Sequence, residues 1–497
     1  MVKTRFAPSP TGFLHVGGLR TALFSYLFAR RQGGAFMLRI EDTDQERLVE
    51  GGMENFIRSL RWAGISIDEG VDLSTDGKVI QKGSLGPYIQ SERLPIYQKY
   101  ANQLLAQGQA YYCFCAKERL EELRKFQELN KLPTGYDSRC REIPAAEASE
   151  RRAAGESAVV RLKMPASGET TFTDLIRGEV AFQNSLIDDQ VIVKSDGFPT
   201  YHLAAVVDDH LMEVTHVIRG EEWLPSTPKH IALYRMLDWK EPAFAHLSLL
   251  INEQKQKLSK RHGDVSVEDF QAKGYLAEAL VNFIAFLGWN PGDERELFTL
   301  GELEREFSLE KVSKAAAVFN REKLNWYNRQ YMMSLDLNEL TRRAVPFFKH
   351  AGVLHKTGTD EPAELASLKN VVALERQRSA TLAELAEATG FMFADELAYE
   401  PELLVWKKST KKETETKLEA LSEFLLTLAE FEWTAEKLDA AVQGWIKKNG
   451  YGVGDVLWPM RVALSGQKNS PGPFEIAAVL GKKKTLERLS TARKKLA

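Results

Sequence analysis

The sequence predicts an α/β chain: a parallel-sheet domain interrupted by an insertion, then an all-helical C-terminal region. Three observations carry this. The chain opens on a strand–helix–strand pattern. The alternation lapses after about residue 95 and returns near residue 200, and from Val265 onward the spacing is helical almost throughout.

The elements follow in order. VKTRFAP, from Val2, reads as a buried strand. Leu19, Leu23, Tyr26 and Leu27 recur at helical spacing, and Gly33-Gly34 stops that helix. AFMLRIEDTD, from Ala35, gives a second strand whose C-terminal end carries Glu41, Asp42 and Asp44. Such a βαβ unit implies a parallel sheet with its ligand site beyond the carboxyl ends of the strands. Residues 95–200 are mixed, with Cys113, Cys115 and Cys140, an Ala/Glu-rich stretch at 145–157 and a strand-like AVVRLKM at 158–164. Strands are expected again in TYHLAAVVDD, VTHVIRG and HLSLLI, which makes 95–200 an insertion in the sheet. EDFQAKGYLAEALVNFIAFLGW and REKLNWYNRQYM then begin one or two helical bundles, with linker-like breaks near 355–362 and 401–415.

Composition bounds the function. At 497 residues the chain needs several domains. Hydrophobic residues at 44% and charged residues at 27% are those of a soluble globular protein. With 66 basic and 69 acidic residues, the net charge of -3 does not advertise a nucleic-acid binder, although basic clusters occur locally. Three cysteines exclude a disulfide scaffold and fit a reducing compartment. The first ten residues hold no apolar leader, and the longest apolar stretch, near Leu280–Trp289, is about half of the ~20 residues that span a bilayer. A cytoplasmic protein is expected.

Two stretches carry chemistry. In RFAPSPTGFLHVGG, residues 5–18, the prolines around Ser9 stiffen the turn after the strand, and Gly12, Gly17 and Gly18 leave the backbone bare. A helix starting there offers N–H groups and a positive dipole end to phosphate, with His15 beside it. Taken alone, the same residues read as a turn with a capping histidine. INEQKQKLSKRHGD, residues 251–264, groups Lys255, Lys257, Lys260 and Arg261 in one polar loop. Alone it is a solvated basic loop; on the same sheet as HVGG it reads as a cationic flap over a triphosphate. Asp208-Asp209-His210, at the end of an expected strand, is read as structural, because adjacent strand residues alternate faces and do not converge on one ion.

HVGG resembles the HIGH motif, and KLSKR the KMSKS motif, of class I aminoacyl-tRNA synthetases. More narrowly, RFAPSPTG, RIEDTD, PTYHLAAVVDDH, THVIRGEEW and KLSKRHGD are similar in order and spacing to bacterial glutamyl-tRNA synthetases, strongly over about residues 1–330. The resemblance implies a Rossmann-type catalytic domain (1–94 and 201–252) with an inserted acceptor-stem-binding domain at 95–200. A connecting domain (253–330) and two helical anticodon-binding subdomains (331–400 and 401–497) would follow. It implies activation of L-glutamate by ATP with Mg²⁺ and transfer to tRNA(Glu), with tRNA(Gln) left open, by a monomer. His15, Lys257 and Lys260 would serve catalysis. Ser9, Gly17, Gly18, Glu222, Leu250, Leu258, Ser259 and Arg261 would complete the ATP site. Arg5, Ser9, Glu41, Tyr201, Arg219 and Trp223 would hold glutamate, with guanidinium groups suited to carboxylates.

This chain departs from the family in having Gly18 at the last HIGH position and Ala205 where some relatives have Asn. Zinc is implied at Cys113, Cys115, Tyr136 and Cys140, with Glu142 where others have His; three small buried thiols without metal remain the alternative. Basic clusters at Lys407, Lys408, Lys411, Lys412, Lys482–Lys484 and Arg493–Lys495, with Trp406 and Trp458, suit RNA. Arg376 and Arg378 are candidate base readers. The other readings are a glutaminyl-tRNA synthetase, which Arg5 and Arg219 disfavour, and a non-catalytic RNA-binding protein on the same scaffold. His15, Lys257 and Lys260 argue against the second.

Overall fold

A computed structural model describes residues 1–258, 265–354 and 362–497. Two compact units emerge: Met1–Phe270 with Leu280–Arg321, and Gln271–Ala279 with Glu322–Ala497.

The first unit is built on an eight-stranded sheet. Its strands are β1 (Lys3–Phe6), β2 (Ala35–Leu38), β3 (Glu69–Leu73), β4 (Val79–Lys82), β7 (Glu169–Asp174), β8 (Gly178–Gln183), β10 (His216–Gly220) and β11 (Ala243–Leu247), in the order β4-β3-β2-β1-β10-β11-β7-β8. β1 is wholly buried, as a central parallel strand must be, and pairs in parallel with β2 on one side and β10 on the other. Helix α1 (Val16–Arg31) makes the crossover from β1 to β2. It stops where expected: a side chain on Gly34 would fall onto the Val2 carbonyl oxygen. Because the chain leaves β1 toward β2 while β10 returns on the other flank, a crevice opens beyond the carboxyl ends of β1 and β10.

The 95–200 segment divides. β5 (Ala110–Cys113), β6 (Val159–Leu162) and β9 (Val191–Val193) form a separate three-stranded sheet, while the β7–β8 hairpin adds to the large sheet through β11. In sequence, helix α2 (Gly52–Trp62) lies between β2 and β3, α3 (Leu94–Ala106) between β4 and β5, and α4 (Lys117–Leu129) and α5 (Ala145–Ala153) between β5 and β6.

Two strand expectations are corrected. TYHLAAVVDD is helix α6 (Tyr201–Leu211), with residues 203–209 all buried. A helix buried on every side shows the same continuous apolar run as a buried strand, so periodicity could not separate them. HLSLLI is not one strand: β11 ends at Leu247, and β12 (Leu250–Ile251) pairs with β13 (Ala317–Val318) in a small separate sheet. After β10, helix α7 (Thr227–Met236) returns the chain to β11.

The second unit is helical, including Leu337–His350, Leu382–Thr389, Lys411–Thr427, Ala435–Asn449, Val453–Ser465 and Pro473–Leu496. One apolar cluster runs through it, from Leu340 and Phe348 through Leu385, Leu421 and Val442 to Met460 and Leu489. Among the described residues, no helix is long and apolar enough to cross a membrane.

Candidate functional site

A cavity of about 1160 Å³ lies in the first unit, and every candidate nucleotide and amino-acid residue within the described segments lines it. Ser259, Lys260 and Arg261 fall outside the described residues.

The turn after β1 is tied down by its own backbone. Proline has no N–H to give, but the Pro8 carbonyl accepts from Glu41 N and the Pro10 carbonyl from Val49 N. Ser9 sits between them and accepts from Thr11 N at 2.8 Å. His15 then caps α1, its Nδ1 accepting from Gly18 N at 3.1 Å. In a neutral ring this leaves the proton on Nε2. The capping and ligand readings of this histidine are therefore compatible, since His15 both caps the helix and lines the cavity. Gly17 and Gly18 line it with the helix start. A Cβ on Gly18 would stand 2.9 Å from Leu14 Cδ1, so a histidine here would require Leu14 to shift.

Lys257 and Leu258 come from a tight hairpin that begins at β12. Asn252 N donates to Gln256 O, Leu258 N donates to Leu250 O, and Lys255 occupies the turn with φ of 61°. Leu250, Lys257 and Leu258 line the cavity, as does Glu222 on the 3₁₀ turn after β10.

One wall is charge-balanced. Arg5 Nε lies 3.0 Å from Asp209 Oδ1, Arg39 Nη1 2.7 Å from the same oxygen, and Arg39 Nη2 3.0 Å from Glu41 Oε1. Asp208 takes Arg93 Nε at 2.7 Å, Gln90 at 2.9 Å and the Tyr97 hydroxyl at 2.8 Å. Burial opposes the charge on Asp209, yet Arg5 and Arg39 hold its pKa below the usual range. For Glu41 burial prevails over Arg39 and Arg5 and raises it. Asp208 and Asp209 are structural, as expected, but for a different reason: they sit on helix α6, engaged by arginines from β1, from the residue after β2 and from the turn before α3.

The other wall differs. Arg219, at the end of β10, donates through Nε to His246 Nε2 (3.1 Å), through Nη1 to the Tyr201 hydroxyl (2.9 Å) and His230 Nδ1 (3.2 Å), and through Nη2 to Thr227 Oγ1 (2.9 Å) and the Trp223 carbonyl (3.4 Å). None of these partners is acidic. Tyr201 and Trp223 face each other with ring centroids 4.3 Å apart.

Arg20 escaped sequence reasoning. One turn past His15 on α1, it is buried, lines the cavity and donates to the Ser248 carbonyl at 2.6 Å, while its Nη1 has no partner among the described residues. Burial lowers its pKa to about 10 against the pull of Glu221 and Glu222. Its only sequence signal is a cation inside an apolar helical run.

A second cluster lies off the cavity. The sulfurs of Cys113, Cys115 and Cys140 all fall within 4.8 Å of one another. The Tyr136 hydroxyl stands 3.3 Å from Cys113 Sγ and 3.7 Å from Cys115 Sγ, and Cys115 and Cys140 are 3.6 Å apart. Zn–S bonds of about 2.3 Å in a tetrahedron put sulfurs about 3.8 Å apart, so these donors fit a metal.

Comparison with known proteins places these features. Residues 1–326 match the family model for tRNA synthetases class I (E and Q), catalytic domain, and residues 339–493 match an anticodon binding domain. A glutamate–tRNA ligase of Clostridioides difficile is 45% identical over 98% of both chains. One of Alkaliphilus metalliredigens is 45% identical over 100% of this chain and 99% of its own. A crystal structure of a glutamate tRNA ligase from Elizabethkingia meningosepticum in complex with its amino acid is 35% identical, covers 100% of both chains and superposes with a TM-score of 0.84.

Proposed function

We propose, from the premise that this chain belongs to the class I tRNA synthetases of the E and Q group, that it works as a glutamate–tRNA ligase. The observation that carries the reading is one cavity holding both a histidine-capped helix N-terminus and a buried guanidinium with no acidic hydrogen-bond partner among the described residues. The first is suited to phosphates, the second to a carboxylate.

In the first step a glutamate α-carboxylate oxygen attacks the α-phosphorus of ATP. The bond to the bridging oxygen breaks and pyrophosphate leaves. A terminal ribose hydroxyl of tRNA then attacks the adenylate carbonyl and AMP leaves. Such transfers need positioning and charge stabilisation rather than a protein nucleophile. His15 and the backbone N–H groups at Gly17 and Gly18 orient the phosphates, with Ser9 and Glu222 beside them. Leu250 and Leu258 flank the nucleotide, and Ser259 and Arg261 are assigned to the same ATP site. Lys257 and Lys260 neutralise charge as it moves onto pyrophosphate. Mg²⁺ bound with ATP would add to that neutralisation. Arg5 and Arg219 take the carboxylates of glutamate, Glu41 its ammonium, and Tyr201 and Trp223 close around the side chain.

We assign the acceptor stem to 95–200, the connection to 253–330 and the anticodon to 331–400 and 401–497, in a cytoplasmic monomer. Cys113, Cys115, Tyr136 and Cys140 are assigned to structural zinc. Purified protein then carries about one equivalent by elemental analysis; less than about a tenth refutes the site.

The test of function is ATP–pyrophosphate exchange with tRNA present. Exchange with glutamate is expected, and exchange with glutamine alone overturns the reading. Charging purified tRNA(Glu) and tRNA(Gln) separately decides whether the second is also a substrate.

A further inference from the structure

The geometry points to a buried relay, Asp174–His246–Arg219, that positions the Arg219 guanidinium and sets the preference for an anionic amino-acid side chain. The inference rests on the amino-acid site proposed above and assigns the positioning to residues behind it.

Arg219 is 5% exposed, and the groups that grip it from behind are more buried still: His246 and Thr227 at 0% and His230 at 2%. Of its partners, Tyr201 and Trp223 line the cavity while His246, His230 and Thr227 do not. The guanidinium is thus held from the protein side and meets the cavity only past Tyr201 and Trp223.

The tautomers follow from the hydrogen bonds. Asp174 Oδ2 lies 2.6 Å from His246 Nδ1, and the Asp174 carboxylate also accepts from the backbone N–H of Ile176, Arg177 and His246. An ionised Asp174 can only accept, so His246 Nδ1 carries a proton. His246 Nε2 is then the acceptor for Arg219 Nε, 3.1 Å away. On the other edge His230 Nδ1 accepts from Arg219 Nη1, so its Nε2 donates to His202 Nδ1 at 3.1 Å. Burial lowers the pKa of His202, His230 and His246 alike, which keeps these rings neutral beside the cation.

All five guanidinium donors therefore meet neutral acceptors, which fix its plane without offsetting its charge. A carboxylate partner, as Arg5 has in Asp209, would supply both alignment and a counter-ion. With Asp174 held one imidazole away, the carboxylate of a bound side chain becomes the counter-ion in direct contact, and an uncharged amide cannot replace it. Asp174 contributes one step removed: it sets the tautomer that lets His246 accept.

The experiment is tRNA-dependent ATP–pyrophosphate exchange with glutamate, glutamine and ATP each varied, on wild type, Asp174→Asn, His246→Leu and His246→Gln. Asp174→Asn frees His246 to present N–H toward Arg219, and the KM for glutamate should rise about 10-fold. The KM for ATP should stay within about twofold, and the kcat/KM preference for glutamate over glutamine should fall. His246→Leu should show the same pattern more strongly, while His246→Gln, which retains an acceptor, should remain within about threefold of wild type. Thermal unfolding checks that each variant is folded; Asp174→Asn and His246→Gln decide the matter should His246→Leu fail to fold. Equal rises in both KM values, or an unchanged glutamate KM in folded Asp174→Asn, overturn the relay alone. Wild-type exchange with glutamine and not glutamate overturns the reading beneath it.

Discussion

The two walls of the cavity use arginine in opposite ways. On the side of β1, β2 and α6, the guanidiniums of Arg5, Arg39 and Arg93 face the carboxylates of Glu41, Asp208 and Asp209, all nearly inaccessible to water. On the side of β10, β11 and α7, Arg219 faces imidazoles, hydroxyls and a carbonyl. The first arrangement has its charges balanced before any ligand arrives, so removing a member strands a partner in low dielectric. The second puts no carboxylate in direct contact with Arg219 among the described residues, since Asp174 stands behind His246, and a ligand can supply one. One wall is thereby expected to matter more for stability and the other for recognition.

The largest effect expected is on the balanced wall. Arg39→Met leaves Asp209 and Glu41 short of a buried partner, and the loss should be about 3–5 kcal/mol in urea unfolding. A loss below about 1 kcal/mol would break the comparison. Next comes Arg219→Met. No acid is stranded, so stability should fall by only about 1–2 kcal/mol, while kcat/KM for glutamate should drop about 100-fold or more. The effect smallest at neutral pH is one of acidification. The folded pKa of His202 is lowered to about 4 from an ordinary 6.5, first by burial and then by Lys229 and Arg219. The unfolded ring therefore takes up a proton first as the pH falls. The stability it contributes is complete above about pH 6.5 and is lost toward pH 4, at up to about 1.4 kcal/mol per pH unit. His202→Asn should flatten the acid side of a stability–pH curve, and an unchanged curve would mean that this ring takes up its proton alike in both states.

The legible parts of the site were local. HVGG encodes its own turn, cap and helix start within a few residues, and the structure places His15, Gly17 and Gly18 there. VKTRFAP and VTHVIRG were legible as strands because each is a short run with β-formers such as Val, Thr, Ile and Phe that ends in a turn, although β1 (KTRF) and β10 (HVIRG) carry several polar residues. What was not legible depends on distance along the chain. Arg39 meets Asp209 across 170 residues and His246 meets Asp174 across 72, and no periodicity announces such pairs. The same limit explains α6, whose apolar run has no polar face to mark a helix. The β7–β8 hairpin was assigned to the insertion from its place in sequence, whereas its pairing is with β11. Arg5 and Arg219 were singled out by resemblance alone; their different surroundings belong to the folded molecule.

The most direct test of that difference is the ratio of kcat/KM for glutamate to kcat/KM for glutamine, measured by tRNA-dependent ATP–pyrophosphate exchange in wild type and Arg219→Met. If Arg219 is the charge that the substrate side chain balances, the ratio should fall about 100-fold or more. A ratio that survives the substitution, with both substrates weakened alike, would contradict the account.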